Sequence, residues 1–300
     1  MSLKPLVEAN RITKMLDMIF GEDRFDRHPV DIEALAIEYS KQVAPRSPIH
    51  RIEGRKLSGC VGALVYSDTS PRQWGILYDE GQVKTRRAFT VAHEFGHYVL
   101  HRQLVEQDAR FDGGIYCDEN SIDRRAGSGI ELEADHFAAA LLMPFHDFRK
   151  QIPAREKPSL ERLGEVAARY GVSLTAAILR WLEYTECRSL MILSNEGFAL
   201  WAKSSDPAFK SGRFIRTKND MFELPSESAT VLGNFDGAAG MKHKAGIWFD
   251  EPALELCIRA DRYDQEITLL HFEQTGPRFQ GEATVEDVVD KFSSRYQSRI

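Results

Sequence analysis

The stretch TVAHEFGHYVLH, residues 90–101, carries His93, Glu94, His97 and His101. On an α-helix each residue turns about 100°, so His93 and His97 sit about 40° apart and one turn along the axis. Two imidazoles at that spacing can share one tetrahedral metal ion. Glu94 falls about 60° beyond His97, where a carboxylate reaches a water at the ion without ligating the ion itself. Metal-assisted hydrolysis needs this arrangement: the ion lowers the pKa of a water towards about 7, and the carboxylate takes its proton. A chance string is the competing reading, and its position on an apolar, helical stretch counts against it.

A catalytic site also needs a third protein ligand and an open fourth position. The longer pattern H-E-x-x-H-x-x-G-x-x-H would supply one, but here its Gly is Leu100 and its last His is Gln103. That class is excluded. His101 lies two turns from His93, roughly 12 Å along the axis, and cannot join the same ion without breaking the helix. It reads as a packing residue or as a partner of a ligand. A better source is SGIELEADHFAAALLMP, residues 128–144, a strongly apolar helix stopped by Pro144 and bearing Glu131, Glu133 and Asp135. Ser128 followed by Glu131 makes a capping box, which gives Glu131 a structural task. Glu133 shares a face with Phe137, Ala140 and Leu141, where burying a carboxylate is costly unless it meets a cation. Glu133 is therefore the expected third metal ligand, with Glu131 or Asp135 as alternatives. The acids left over would orient a ligand histidine. Gly96, mid-helix at a cost of about 1 kcal/mol relative to Ala, either admits a close backbone or is simply tolerated.

The elements that must position these groups follow from the hydrophobic pattern. Residues 4–20 and 30–40 read as amphipathic helices, and 48–80 as three short strands of a small sheet. A long helix spans 84–103. Residues 104–127 are polar and Gly-rich, too long for a simple connection, and read as a functional loop. Residues 159–185 give two helices broken at Gly171, with the Ala, Gly and apolar spacing of a helix-turn-helix. Beyond 186 the pattern alternates: hairpins around Asn195-Glu196-Gly197 and within 253–273, then a closing helix over 284–296. The fold class is α+β, with a peptidase-like unit over 1–150, a helical segment over 151–185 and a hairpin-rich α+β domain over 186–300.

RRAFTVAHEFGHYVLH together with ELEADHFAAALLMP resembles the ImmA/IrrE family of bacterial metallopeptidases. The family pattern pairs an H-E-x-x-H helix with E-A-(N/D)-x-F-A-x-x-L-L-M-P, and the resemblance covers about residues 1–185. It implies a zincin-like peptidase in which His93, His97 and Glu133 hold the metal and Glu94 is the general base. Several members cleave a helix-turn-helix transcriptional repressor in a stress or mobile-element response, and an exposed strand would hold such a substrate extended. Some carry a GAF-like sensor domain at the C-terminal end. The expected cofactor is zinc, although a His2Glu site also accepts manganese or iron.

Composition narrows the setting. Apolar residues at 43% and charged residues at 28% are those of an ordinary globular chain. With no secretory h-region and no long apolar run, the expected location is cytoplasmic and no membrane partner is expected. Cys60, Cys117, Cys187 and Cys257 are scattered singly, which argues against a zinc ribbon or a disulfide framework. The net charge of −6 and the single basic residue, Arg180, on the second helix of the helix-turn-helix-like segment argue against direct DNA contact. Cys117, in the long loop, reads first as an ordinary thiol; its second reading is a redox-sensitive latch that swings onto the metal and blocks the water site. Tyr98, His101 and His136 are the candidate oxyanion donors. The alternative to an enzyme is a regulatory binding module in which the metal is structural.

Overall fold

Helix α1 (Pro5–Phe20) starts on a proline, whose fixed φ suits a first turn, and buries Ala9, Ile12, Thr13 and Leu16. Helix α2 (Ile32–Val43) is capped by Asp31, whose carboxylate accepts a hydrogen bond from the Ala34 amide, and buries Leu35, Ala36 and Tyr39. These facts come from a computed structural model that describes residues 4–67, 69, 72–111, 113–117, 129–217 and 221–274. Strands β1 (Ile49–Arg55), β2 (Gly62–Tyr66) and β3 (Trp74–Asp79) precede the long helix α3 (Lys84–Gln107), and a fourth strand, β4 (Gly114–Cys117), follows it. The sheet order is β1-β3-β2-β4, with β1 and β3 parallel and β2 antiparallel to both of its neighbours.

The sequence reading expects three strands and a loop over 104–127. The structure corrects this: α3 runs on to Gln107, and β4 lies inside the supposed loop. A strand of four residues entered through two glycines is too short to show alternation.

Helix α4 (Gly129–Leu142) packs along α3, and Gly96 is the reason the two can approach. A Cβ there would stand 3.0 Å from a Phe137 ring carbon and 3.3 Å from the Ala134 backbone. After α5 (Phe145–Gln151) come α6 (Leu160–Tyr170) and α7 (Leu174–Leu182), each capped by a serine, with the expected break at the left-handed Gly171. No residue of α7 is exposed. Arg180 is buried, donates from Nε to the Met143 carbonyl at 2.9 Å, and stacks its guanidinium on Phe145.

The second sheet is antiparallel and formed by β5 (Ser189–Asn195), β6 (Phe198–Ser204), β7 (Phe222–Glu223), β8 (Met241–His243), β9 (Ala253–Ala260) and β10 (Gln265–Phe272), with the short helix α8 (Asp206–Lys210) after β6. Its order is β7-β6-β5-β10-β9-β8. Glu196 and Gly197 both have positive φ, at 49° and 82°, so the β5–β6 hairpin closes on a primed two-residue turn. The expected closing helix over 284–296 lies outside the described residues. One apolar core runs from α1 and α3 through α6 and α7 to Met191, Leu256, Ile267 and Leu269 of the second sheet, so the two sheets share a core. Among the described residues no helix is long and apolar enough to cross a membrane.

Candidate metal centre

The middle of α3 is fully enclosed: His93, Glu94 and His97 have no accessible surface. Helical spacing does what the sequence requires of it, and the two Nε2 atoms converge to 3.0 Å. The carboxylate that meets them belongs to Glu131, with Oε2 3.2 Å from His93 Nε2 and Oε1 3.4 Å from His97 Nε2. The Cys117 thiol at the end of β4 closes the group, with Sγ 3.6 Å from His93 Nε2 and 3.7 Å from His97 Nε2. Ligand atoms of His93, His97, Cys117 and Glu131 all lie within 4.8 Å of one another.

The expectation that Glu133 completes the donor set does not match this geometry. Glu133 is half-exposed, and its Oε2 lies 2.9 Å from His101 Nε2. The reason is helix phase. Glu131 and Asp135, four apart, share the buried α4 face with Ala134, which lies against Gly96 of α3, whereas Glu133 turns towards the flank. The capping task assigned to Glu131 required Ser128, which lies outside the described residues. One readable signal was missed: an i,i+4 pair of acids facing an i,i+4 pair of histidines.

Each histidine is held from behind. His93 donates from Nδ1 to Asp135 Oδ1 at 2.9 Å, which leaves the Nε2 lone pair free to face the cluster. His97 Nδ1 lies 3.1 Å from His101 Nδ1, and His101 in turn donates from Nε2 to Glu133. His101 and Glu133 thus form a relay that orients His97. None of the three candidate oxyanion donors faces the cluster: Tyr98 donates to the Ser47 carbonyl, His101 stands behind His97, and His136 is exposed on α4.

Glu94 sits beside this group with both carboxylate oxygens buried and no N–H or O–H donor reaching either. Strand β2 crosses directly over it. A Cβ on Gly62 would stand 2.6 Å from Glu94 Oε1 and 2.5 Å from Thr90 Cγ2, so only glycine fits. Burial pushes the Glu94 pKa up to about 7, with His93 and Cys117 pulling it partly back. Burial alone would lower His93, but its hydrogen bonds to Asp135 and Glu131 outweigh that and raise it. His97 is lowered by burial, and Glu131 is held well below the usual carboxylate range because its bonds to the two histidines outweigh burial. Burial raises the Cys117 thiol. Three carboxylates, Glu94, Glu131 and Asp135, around the two imidazoles make a centre that favours a positive charge.

The donor set fits a divalent metal. Tetrahedral zinc with metal–nitrogen bonds of about 2.0 Å and metal–sulfur bonds of about 2.3 Å implies nitrogen–nitrogen separations of about 3.3 Å and nitrogen–sulfur separations of about 3.5 Å. The nitrogen–nitrogen separation of 3.0 Å, the nitrogen–sulfur separations of 3.6 and 3.7 Å and the nitrogen–oxygen separations of 3.2 and 3.4 Å lie close to that shell.

Two histidines one helical turn apart, a buried glutamate next to the first and a carboxylate from a second helix are together the signature of the H-E-x-x-H metal sites. Residues 55–182 match the family Peptidase M78, described as the IrrE N-terminal-like domain, which supports the likeness of this part of the chain to the ImmA/IrrE family. Among solved structures the chain is similar to one described as a Mycobacterium tuberculosis transcriptional regulator. That likeness has 11% identity and a TM-score of 0.48, and covers 88% of this chain and 76% of that one. No curated protein matches.

Proposed function

We propose that the chain is a zinc-dependent endopeptidase whose substrate is a cytosolic regulatory protein, a helix-turn-helix transcriptional repressor, acting in a stress or mobile-element response. The observation that carries the reading is Glu94: a fully buried carboxylate that no N–H or O–H donor reaches, with only the Cys117 thiol beside it, placed against a preformed donor group. Such a group costs several kcal/mol to bury, and a purely structural metal site has no use for it.

In this reading His93, His97 and Glu131 hold the ion, Asp135 and the His101–Glu133 relay fix the two imidazoles, and Gly62 keeps β2 from crowding the base. A divalent ion held by these donors supplies Lewis acidity, polarising a peptide carbonyl and acidifying a water. Glu94 takes a proton from the attacking water at a carboxylate oxygen and returns it to the leaving amine nitrogen. Zinc suits the donors best; manganese and iron also accept two imidazoles and a carboxylate.

The test is Glu94→Gln, co-expressed with a repressor encoded beside the protein. The variant retains its metal and leaves the repressor intact, while the parent removes it. Equal processing by both ends the hydrolase reading. One observation favours a second reading, a regulatory module with a structural metal: Cys117 fills the position that a catalytic site leaves open. Under that reading Glu94→Gln changes no output of the protein.

A further inference from the structure

The tension between an orphaned base and a filled fourth position has one resolution that uses both. We infer that Cys117 is a fourth protein donor that closes the metal site, so that the peptidase rests in a latent form and opens when the thiolate leaves. The inference rests on the proposed hydrolase, and goes further in assigning how that site is regulated.

The cysteine is built into this place. Strand β4 hydrogen-bonds to β2 with Cys117 opposite Gly62, and the Val61 amide donates to the Cys117 carbonyl at 2.8 Å. Entry to β4 needs Gly114, whose φ is 139° and whose Cβ would overlap the Leu64 carbonyl. The side chain is fully buried, equidistant within 0.1 Å from the two Nε2 atoms. It also lies beside the Glu94 carboxylate. A thiolate there takes up the space between base and ion, which is where the attacking water must stand. Opening is a ligand exchange: the thiolate departs, takes a proton, and a water or carbonyl oxygen enters in its place. No redox partner is needed.

The experiment uses the full chain loaded with cobalt(II). The parent and a Cys60→Ser control show thiolate-to-cobalt charge-transfer absorption in the near ultraviolet. Cys117→Ala binds the metal roughly ten- to a hundredfold more weakly or worse, lacks that absorption, and turns over repressor faster than the parent. In the parent, zinc slows alkylation of Cys117, read by peptide mass. This measurement stands even where the variant fails to fold. Absence of the charge-transfer absorption in the metal-loaded parent overturns the inference, as does alkylation at the same rate with and without zinc. A Cys117→Ala variant no faster than the parent overturns the latency. These results are independent of Glu94→Gln, which decides the peptidase reading alone.

Discussion

Removing the two glutamates of α4 one at a time separates the geometry from the sequence pattern. Glu131 contacts both Nε2 atoms, at 3.2 and 3.4 Å, and its side chain is 10% exposed. Glu133 reaches the donors only through His101, and its side chain is 37% exposed, so water can replace it. Loss of an outer partner of a ligand lowers metal affinity by roughly ten- to a hundredfold. With solvent as substitute, Glu133→Ala belongs at or below the low end, about 1.4 kcal/mol or less. Glu131→Ala takes away a donor itself and should exceed the high end, about 2.8 kcal/mol or more. Competition with a chromophoric zinc chelator measures both, with metal per chain checked by elemental analysis. If Glu133→Ala proves the more damaging of the two, the donor assignment is wrong and the original reading of the α4 face is right.

Three further outcomes follow from contacts outside the donor set. Gly96→Ala should lower thermal stability, by about 1–3 kcal/mol, despite the usual helix gain from alanine, because its Cβ meets Phe137 and the Ala134 backbone; a rise in melting temperature would refute the close approach. Arg180→Ala should cost about 2–4 kcal/mol in denaturant unfolding by orphaning the Met143 carbonyl and losing the stack on Phe145, and a cost below about 1 kcal/mol would show that the arginine is replaceable. His271 is buried between Ser189 and the Pro158 carbonyl, and burial holds its pKa down to about 4 from 6.5. The unfolded chain therefore binds the extra proton first as pH falls below 6.5, and stability is lost between there and about 4. By pH 5 the loss is about 2 kcal/mol, and His271→Gln should remove it; an unchanged slope in the variant would exclude His271 as its source.

The parts of the fold that were legible in the sequence are those where one periodicity runs for several turns. The convergence of His93 and His97 was readable because the helix around them is long, and spacing alone fixes their relative direction. The hairpin at Glu196-Gly197 read correctly because a primed turn has its own residue chemistry. Strand β4 did not, since four residues entered through paired glycines carry no period. The choice between Glu131 and Glu133 depended on the rotational phase of α4, and its apolar residues leave that open: from Phe137 to Leu142 every position is buried. Both Ala134 and Phe137 meet α3 at Gly96. Cys117 read first as an ordinary loop thiol and only second as a metal latch, because its place is set by strand pairing across the sheet, which brings residue 117 opposite residue 62.

On the proposed reading, the thiol also bears on which ion the site takes. Two imidazoles and a carboxylate discriminate weakly among zinc, manganese and iron, whereas a soft thiolate favours zinc. The closed form is then the selective one, and the ion chosen there remains when Cys117 departs. The open form, with three donors and Glu94 unpartnered, is the reactive one. Selection and reaction place opposite demands on the fourth position, and a single reversible donor meets both in turn. This also accounts for the buried Glu94 carboxylate, which no N–H or O–H donor reaches. Its cost is carried by the closed protein, and the compensating interaction arrives only with the water that enters on opening.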